Sequence, residues 1–229
     1  MHDHYQRLYT VSGLQGALKK DGRWLKVAKG ESLWFRFTAL HPEIIDAFLE
    51  IAAREEPGPG FDDERLQPGA VLAPPVEHEW VRITGFEQPA AGSERLADAG
   101  DISTDVSLRF LSPTCFIENG QSLPLPVPRY VFGNLFNQWQ NASPFPLPVE
   151  EVGHFIENIH LVYTSLKTDT VDFKKFRRVG YEGVARFGLH PKMPVLYRMV
   201  LQLLAEFAFY AGVGSHTAMG MGQAVRETR

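Results

Sequence analysis

Hydrophobic and polar positions interleave along residues 33–39, where Leu33, Phe35 and Phe37 alternate with Trp34, Arg36 and Thr38. That period of two predicts a strand that buries the Leu33, Phe35 and Phe37 face. Residues 8–14 read as a second strand. After Pro42 the period lengthens: Ile44, Ile45, Phe48, Leu49 and Ala52 fall on one stripe, which predicts a helix to about residue 54. Proline suits its first turn, where the missing N–H would have no partner in any case. Residues 70–86 form a further extended region, so the first half reads β-β-α-β.

Residues 87–101, EQPAAGSERLADAGD, show no apolar period and carry Pro, Gly and Ala with acidic residues, so they are expected to be a linker. A loop over residues 57–69 interrupts the first half. Beyond the linker, Val106, Leu108 and Phe110 mark a strand over 106–116. Val131, Phe132, Leu135, Phe136 and Trp139 mark a helix over 128–140. Residues 160–168 and 178–187 read as two strands of a hairpin with a basic connection. Residues 194–211 make a strong helix through Val195, Leu196, Met199, Val200, Leu203, Leu204 and Phe207, and a short strand near 223–226 ends the chain. The order β-α-β-β-α-β is that of a ferredoxin-like split βαβ unit. The first half matches its last four elements and lacks an initial strand and helix. The expectation is therefore an α+β protein with an incomplete ferredoxin-like domain over residues 1–95 and a complete one over 103–229.

The chain has 229 residues, with 44% hydrophobic and 22% charged, ordinary for a globular protein and long enough to bury a core without staples. Its one cysteine, Cys115, excludes a disulfide framework and a Cys-based zinc site. No apolar run reaches the roughly 18 residues of a membrane span. The opening MHDHYQRLY is no signal peptide, so the expected location is the cytoplasm, with no membrane partner. A net charge of −4 argues superficially against a nucleic-acid partner, but the charge is unevenly spread. Residues 1–40 carry seven basic and three acidic side chains; residues 41–105 carry four and fifteen; residues 166–198 carry eight and three. Two basic blocks flank an acidic one, and folding can gather the basic blocks onto one face.

The most informative segment is Gly212-Val-Gly-Ser-His-Thr-Ala-Met-Gly-Met-Gly222, four glycines directly after a helix. One glycine would cap that helix. Four permit close backbone approach and a nest of N–H groups able to hold an anion. The loop follows a helix and precedes a strand, the reverse of a dinucleotide fingerprint, and it has no Gly-Lys-Ser/Thr, so the common nucleotide motifs do not apply. A tight helix-to-strand crossing and a loop lying on a nucleic-acid backbone both remain open on these residues.

The stretch from Phe207 to Gln223, FAFYAGVGSHTAMGMGQ, resembles the C-terminal signature of the CRISPR RNA-processing endoribonucleases of the RAMP superfamily. Further matches follow in family order: Leu108-Arg-Phe-Leu-Ser-Pro-Thr114, Leu123-Pro-Leu-Pro126 with Val131-Phe-Gly-Asn-Leu135, and Gly180-Tyr-Glu-Gly183. Upstream, Tyr9-Thr-Val-Ser-Gly-Leu14 and Leu33-Trp-Phe-Arg-Phe-Thr38 resemble the family's N-terminal strands. The resemblance implies two tandem ferredoxin-like (RRM-type, βαββαβ) domains and binding of CRISPR repeat RNA. It also implies one metal-independent, cofactor-free cut per repeat, by attack of a ribose 2′-OH on the adjacent phosphorus. The partner it implies is repeat or guide RNA, with other CRISPR-associated proteins as further candidates and no DNA contact required. The alternative is a non-cleaving subunit that holds guide RNA in an effector or integration complex.

By the same resemblance a catalytic histidine sits in or just after the first helix of the N-terminal domain. The nearest candidates are His4 and His2, with Tyr5 assisting. Three explanations fit the short start: a truncated chain, a piece supplied elsewhere, or a non-cleaving member. His216, inside the glycine-rich loop, is a further candidate for the proton transfers or for a phosphate contact. Histidine suits both, because its pKa lies near working pH. The expected RNA contacts are Gly212, Gly214, Ser215, Thr217, Gly220 and Gly222 in the loop. The basic cluster Lys174, Lys175, Arg177 and Arg178, with Lys167 beside it, adds charge for phosphates. Lys19, Lys20, Arg23 and Lys26 form a second basic loop. His-x-His at positions 2 and 4 lacks a third nearby ligand and makes a poor metal site.

Overall fold

The computed structural model describes residues 8–227 apart from 23, 55–59, 62, 63, 66, 68, 99, 101 and 174. In chain order the elements are β1 (Tyr9–Val11), β2 (Gln15–Gly16), β3 (Lys19–Asp21), β4 (Trp24–Lys26), β5 (Leu33–Trp34), β6 (Phe37–Ala39), α1 (Pro42–Ala52), β7 (Gly60–Phe61), β8 (Glu64–Arg65) and α2 (Glu87–Asp98). The second half continues with β9 (Asp105–Thr114), β10 (Phe116–Glu118), β11 (Gln121–Leu123), α3 (Pro128–Ala142), α4 (Val149–Glu157), β12 (His160–Asp172), β13 (Arg177–Gly188), α5 (Val195–Ala211) and β14 (Ala224–Glu227). No helix among the described residues is long and apolar enough to cross a membrane.

The second half is a complete ferredoxin-like unit. Its sheet runs β12-β13-β9-β14, antiparallel at every step, so the unit's first strand lies between its third and fourth. Alternation along β9 turns Val106, Leu108 and Phe110 inward. There they meet Val131, Phe132, Leu135 and Trp139 of α3 and Leu201, Leu204, Phe207 and Ala208 of α5. Aromatic edges close the core: Trp139 meets Phe207 at 5.1 Å, and Phe132 meets Phe187 at 5.1 Å, both near-perpendicular. The expected hairpin is present and longer than its alternation suggests, running from His160 to Gly188.

The first half is thinner. β1 pairs with β6 and β2 with β5, and α1 lies on one side through Phe48, stacked 4.2 Å from Phe37. The extended region 70–86 forms no strand, only an isolated bridge between His78 and Val81. In the second half, by contrast, β9 separates β13 from β14 and pairs with both.

Two further expectations are corrected. Residues 87–98 are not a linker but helix α2, which packs on α5; its Ala, Glu, Arg and Leu favour helix, and Pro89 falls in the first turn. Burial over 33–39 also departs from the expected alternation: Phe35 is 48% exposed and Arg36 only 7%, while Leu33 and Phe37 are half-buried and Trp34, on the Arg36 side, is 42% exposed. The polar side faces the second half and hydrogen-bonds into it.

Candidate functional site

α5 ends at Gly212, whose amide donates to the Ala208 carbonyl at 3.0 Å with φ at +67°, and the chain then turns through the glycine-rich loop. Most of that loop's amides, including those of all four glycines, donate to protein acceptors. Val213 donates to the Gly222 carbonyl (2.8 Å), Ser215 to Cys115 (2.9 Å), Gly220 to Val11 (3.0 Å) and Gly222 to Pro113 (3.1 Å). The Gly214 amide donates to Asn134 Oδ1 of α3 at 2.9 Å, and the Gln223 amide to Ser112 Oγ at 3.0 Å. The loop thus stitches β1, the end of β9 and α3 together. These amides do not form an open nest. Glycine is needed for approach: a Cβ on Gly214 would stand 2.5 Å from the Cys115 carbonyl oxygen.

His216 sits at the turn of this loop in the left-handed region, φ +62°, just before the short 3-10 segment Thr217–Met219. Few side chains adopt that conformation without need. Its ring lies 5.6 Å from Phe173, stacked at 24°, and 5.4 Å from Phe176. Both phenylalanines belong to the turn that joins β12 to β13, closed by the Phe173 amide donating to the Phe176 carbonyl at 2.9 Å. The Arg178 guanidinium lies 4.8 Å over the Phe176 ring. The basic hairpin turn and the glycine-rich loop, nearly forty residues apart in sequence, are therefore one surface, joined by an aromatic clasp.

The basic residues on that surface are not equally available. Lys175 is exposed. Lys167 Nζ is 3.0 Å from Glu182 Oε2, and that hydrogen bond holds its ammonium above the usual lysine range. Arg177 Nε is 3.2 Å from Asp172 Oδ2 across the hairpin. In the first half Lys19 is exposed, Lys20 lies in β3, and Lys26 pairs with Asp21 at 2.5 Å. His2, His4, Tyr5, Arg23 and Lys174 lie outside the described residues. Among the described residues no group of three His, Cys, Asp or Glu is placed to hold a metal ion. Cys115 is fully buried, and burial pushes its thiol pKa up.

Residues that pattern alone does not single out also shape the site. Phe173 and Phe176 look like turn hydrophobes, Asn134 like a helix-surface amide, and Arg36 like a solvent-facing strand residue. The one available signal is that two phenylalanines flank Lys174 and Lys175, in a turn where polar residues are usual.

The family model for the CRISPR-associated endoribonuclease Cas6 matches residues 108–224, just over half of the chain. Among solved structures, the product complex of Cas6 (TTHB231) from Thermus thermophilus is 26% identical, with a TM-score of 0.74, covering 99% of this chain and 84% of that one. The Cas6 (TTHA0078) substrate mimic complex is 25% identical, with a TM-score of 0.71, covering 96% and 85%. A Cas6-related protein from Pyrococcus furiosus shares the fold at 11% identity, with a TM-score of 0.56 over 98% of this chain and 80% of that one. No curated protein matches by sequence. On the family match, over residues that include β9, the hairpin, α5 and the glycine-rich loop, the chain belongs to the CRISPR-associated endoribonuclease Cas6 family.

Proposed function

We propose that this protein binds the repeat of a CRISPR precursor transcript and cuts it without a metal ion. The 2′-OH at the scissile ribose loses its proton to a base and attacks the adjacent phosphorus. The bond from phosphorus to the 5′-oxygen breaks, and that oxygen takes a proton from an acid. The products are a 2′,3′-cyclic phosphate and a 5′-OH. The observation that supports this reading is the aromatic clasp on a family member: His216 packs on Phe173 and Phe176, and Arg178 lies over the Phe176 ring, in the turn that also carries exposed Lys175. Arg178 and Lys175 supply positive charge where a phosphorane would form it as negative. His4 and His2 are the candidate bases, Tyr5 assists, and His216 is the candidate acid or phosphate contact. Lys167 and Arg177 extend the surface along the hairpin, and Lys174, Lys19, Lys20 and Arg23 are further candidate phosphate contacts.

The test uses two RNAs of the repeat, one natural and one with a 2′-deoxy sugar at the cut, each incubated with the protein in EDTA. Cleavage of the first alone, leaving a cyclic phosphate, is the expected result. Binding of both without cleavage supports instead a subunit that only holds guide RNA, and no binding refutes both. Where cleavage occurs, His4→Ala and His216→Ala are expected to slow it about 100-fold at similar RNA affinity. Unchanged rates in both variants would refute the assignment.

A further inference from the structure

Between the two halves lies a buried arginine that belongs to neither the basic surface nor the hydrophobic core. Arg36, in the link between β5 and β6, points its guanidinium into the second half. Its Nη1 donates to Gln223 Oε1 at 3.1 Å, its Nε donates to the Trp80 carbonyl at 3.1 Å, and its plane lies 3.7 Å over the Phe209 ring. Gln223 is the residue immediately after the glycine-rich loop and is itself buried. Its Nε2 continues the chain of contacts to Thr10 Oγ1 of β1 at 3.2 Å. The backbone of Arg36 grips the same strand end, its amide donating to Ser12 Oγ and its carbonyl accepting from the Ser12 amide, both at 2.8 Å. Ser12 in turn bridges to Gly220, whose amide donates to Val11. Thr38 Oγ1 completes the seam by donating to the Tyr210 carbonyl at 2.8 Å.

We propose that Arg36 is a positioning residue: through Gln223 it holds β1 against the glycine-rich loop in the register that RNA cleavage requires. A shift of β1 relative to Gly220 would disturb the loop that carries His216, and misplacement of a reacting group by about 1 Å can cost on the order of 100-fold in rate. A buried cation is retained at a cost in desolvation. Here burial lowers the Arg36 pKa to about 10, so it stays charged at neutral pH, and the Phe209 ring and two acceptors offset part of that cost. Lysine could reach Gln223 or Trp80 but lacks the planar fork that serves both. The functional half of the inference rests on the cleavage reading above; the structural half does not.

The experiment compares Arg36→Met, Arg36→Lys, Gln223→Ala and the double variant Arg36→Met with Gln223→Ala. Single-turnover cleavage at saturating protein and repeat-RNA affinity are measured for each. Arg36→Met is expected to slow cleavage about 30-fold and Gln223→Ala about 10-fold, with affinity within about threefold of the natural protein. Arg36→Lys should recover part of the loss. The double variant should be within twofold of Arg36→Met, because both changes break one link. Hydrogen exchange at the Gly220 amide supplies a readout independent of cleavage. It should quicken at least tenfold in Gln223→Ala, while the β12–β13 ladder is unchanged. Should Arg36→Met not fold, Arg36→Lys and Gln223→Ala make the same test. Rate and affinity falling by one factor, or Gly220 exchange unmoved in the folded variants, would overturn the proposal. A natural protein that cuts no RNA refutes the cleavage reading, and the exchange data then decide the Arg36 link alone.

Discussion

Gly222→Ala is expected to lower the unfolding free energy by about 3 kcal/mol, the sum of a left-handed backbone and a carbonyl clash. The backbone at Gly222 has φ +73°, and an added Cβ would stand 2.3 Å from the Val213 carbonyl oxygen and 2.8 Å from Thr217 Cγ2. Neither neighbour can retreat freely. Val213 and Gly222 are tied by the Val213 amide, and the Gly222 amide is tied to Pro113, so relief means opening the loop from β9. Gly120 provides the comparison. It also has positive φ, +79°, in the turn between β10 and β11, but a Cβ there meets nothing within 4 Å. Gly120→Ala should therefore cost only about 1 kcal/mol, the backbone part alone. Urea unfolding of both variants measures the difference. Equal losses would mean that the loop yields to the clash, and that its glycines answer to something other than close approach.

The second half was largely legible because its faces repeat. β9 alternates over ten residues, α3 and α5 each carry a continuous apolar stripe, and those stripes are the surfaces that meet in the core. α4 is hard to read in the sequence because it is only nine residues long, although Val152 and Phe155 are spaced three apart and both buried. The first half misled for a different reason. Alternation of Phe35 and Phe37 with Arg36 and Thr38 identifies a strand but cannot say which side is inside. The answer depends on partners nearly 190 residues away, Gln223 among them. A polar strand face is usually wet. Here Arg36 is buried and Thr38 half-buried, with Gln223, Tyr210 and Thr10 as their hydrogen-bond partners. The glycine-rich loop stands out in the sequence, but its glycine amides do not form an open anion nest. They bind protein carbonyls and the Asn134 side chain, and the loop meets the hairpin turn through His216, half-buried against two phenylalanines. No local spacing encodes that clasp, because the hairpin turn reaches the loop only through the fold.

Raising salt from 50 to 200 mM is expected to weaken repeat-RNA binding about 1,000-fold, if six of the eight basic candidates each neutralise a phosphate. The acidic block of residues 41–105 does not remove this dependence, because counterion release is set by the cations actually touching phosphate. Within the hairpin, however, two of those cations are held by carboxylates that compete with RNA: Lys167 by Glu182 and Arg177 by Asp172. Surface pairs of this kind are worth little to the free protein, about 0–1 kcal/mol each. Asp172→Asn should therefore leave stability nearly unchanged and tighten RNA binding about threefold, by freeing Arg177. Arg178→Gln should act in the opposite direction, reducing the slope of log affinity against log salt by about one and weakening binding to all repeat sequences alike. Filter-binding titrations at four salt concentrations separate these outcomes. A salt slope near zero in the natural protein would remove phosphate contact from the hairpin. Asp172→Asn binding no tighter than the natural protein would show that Arg177 faces solvent, and not the RNA, in the complex.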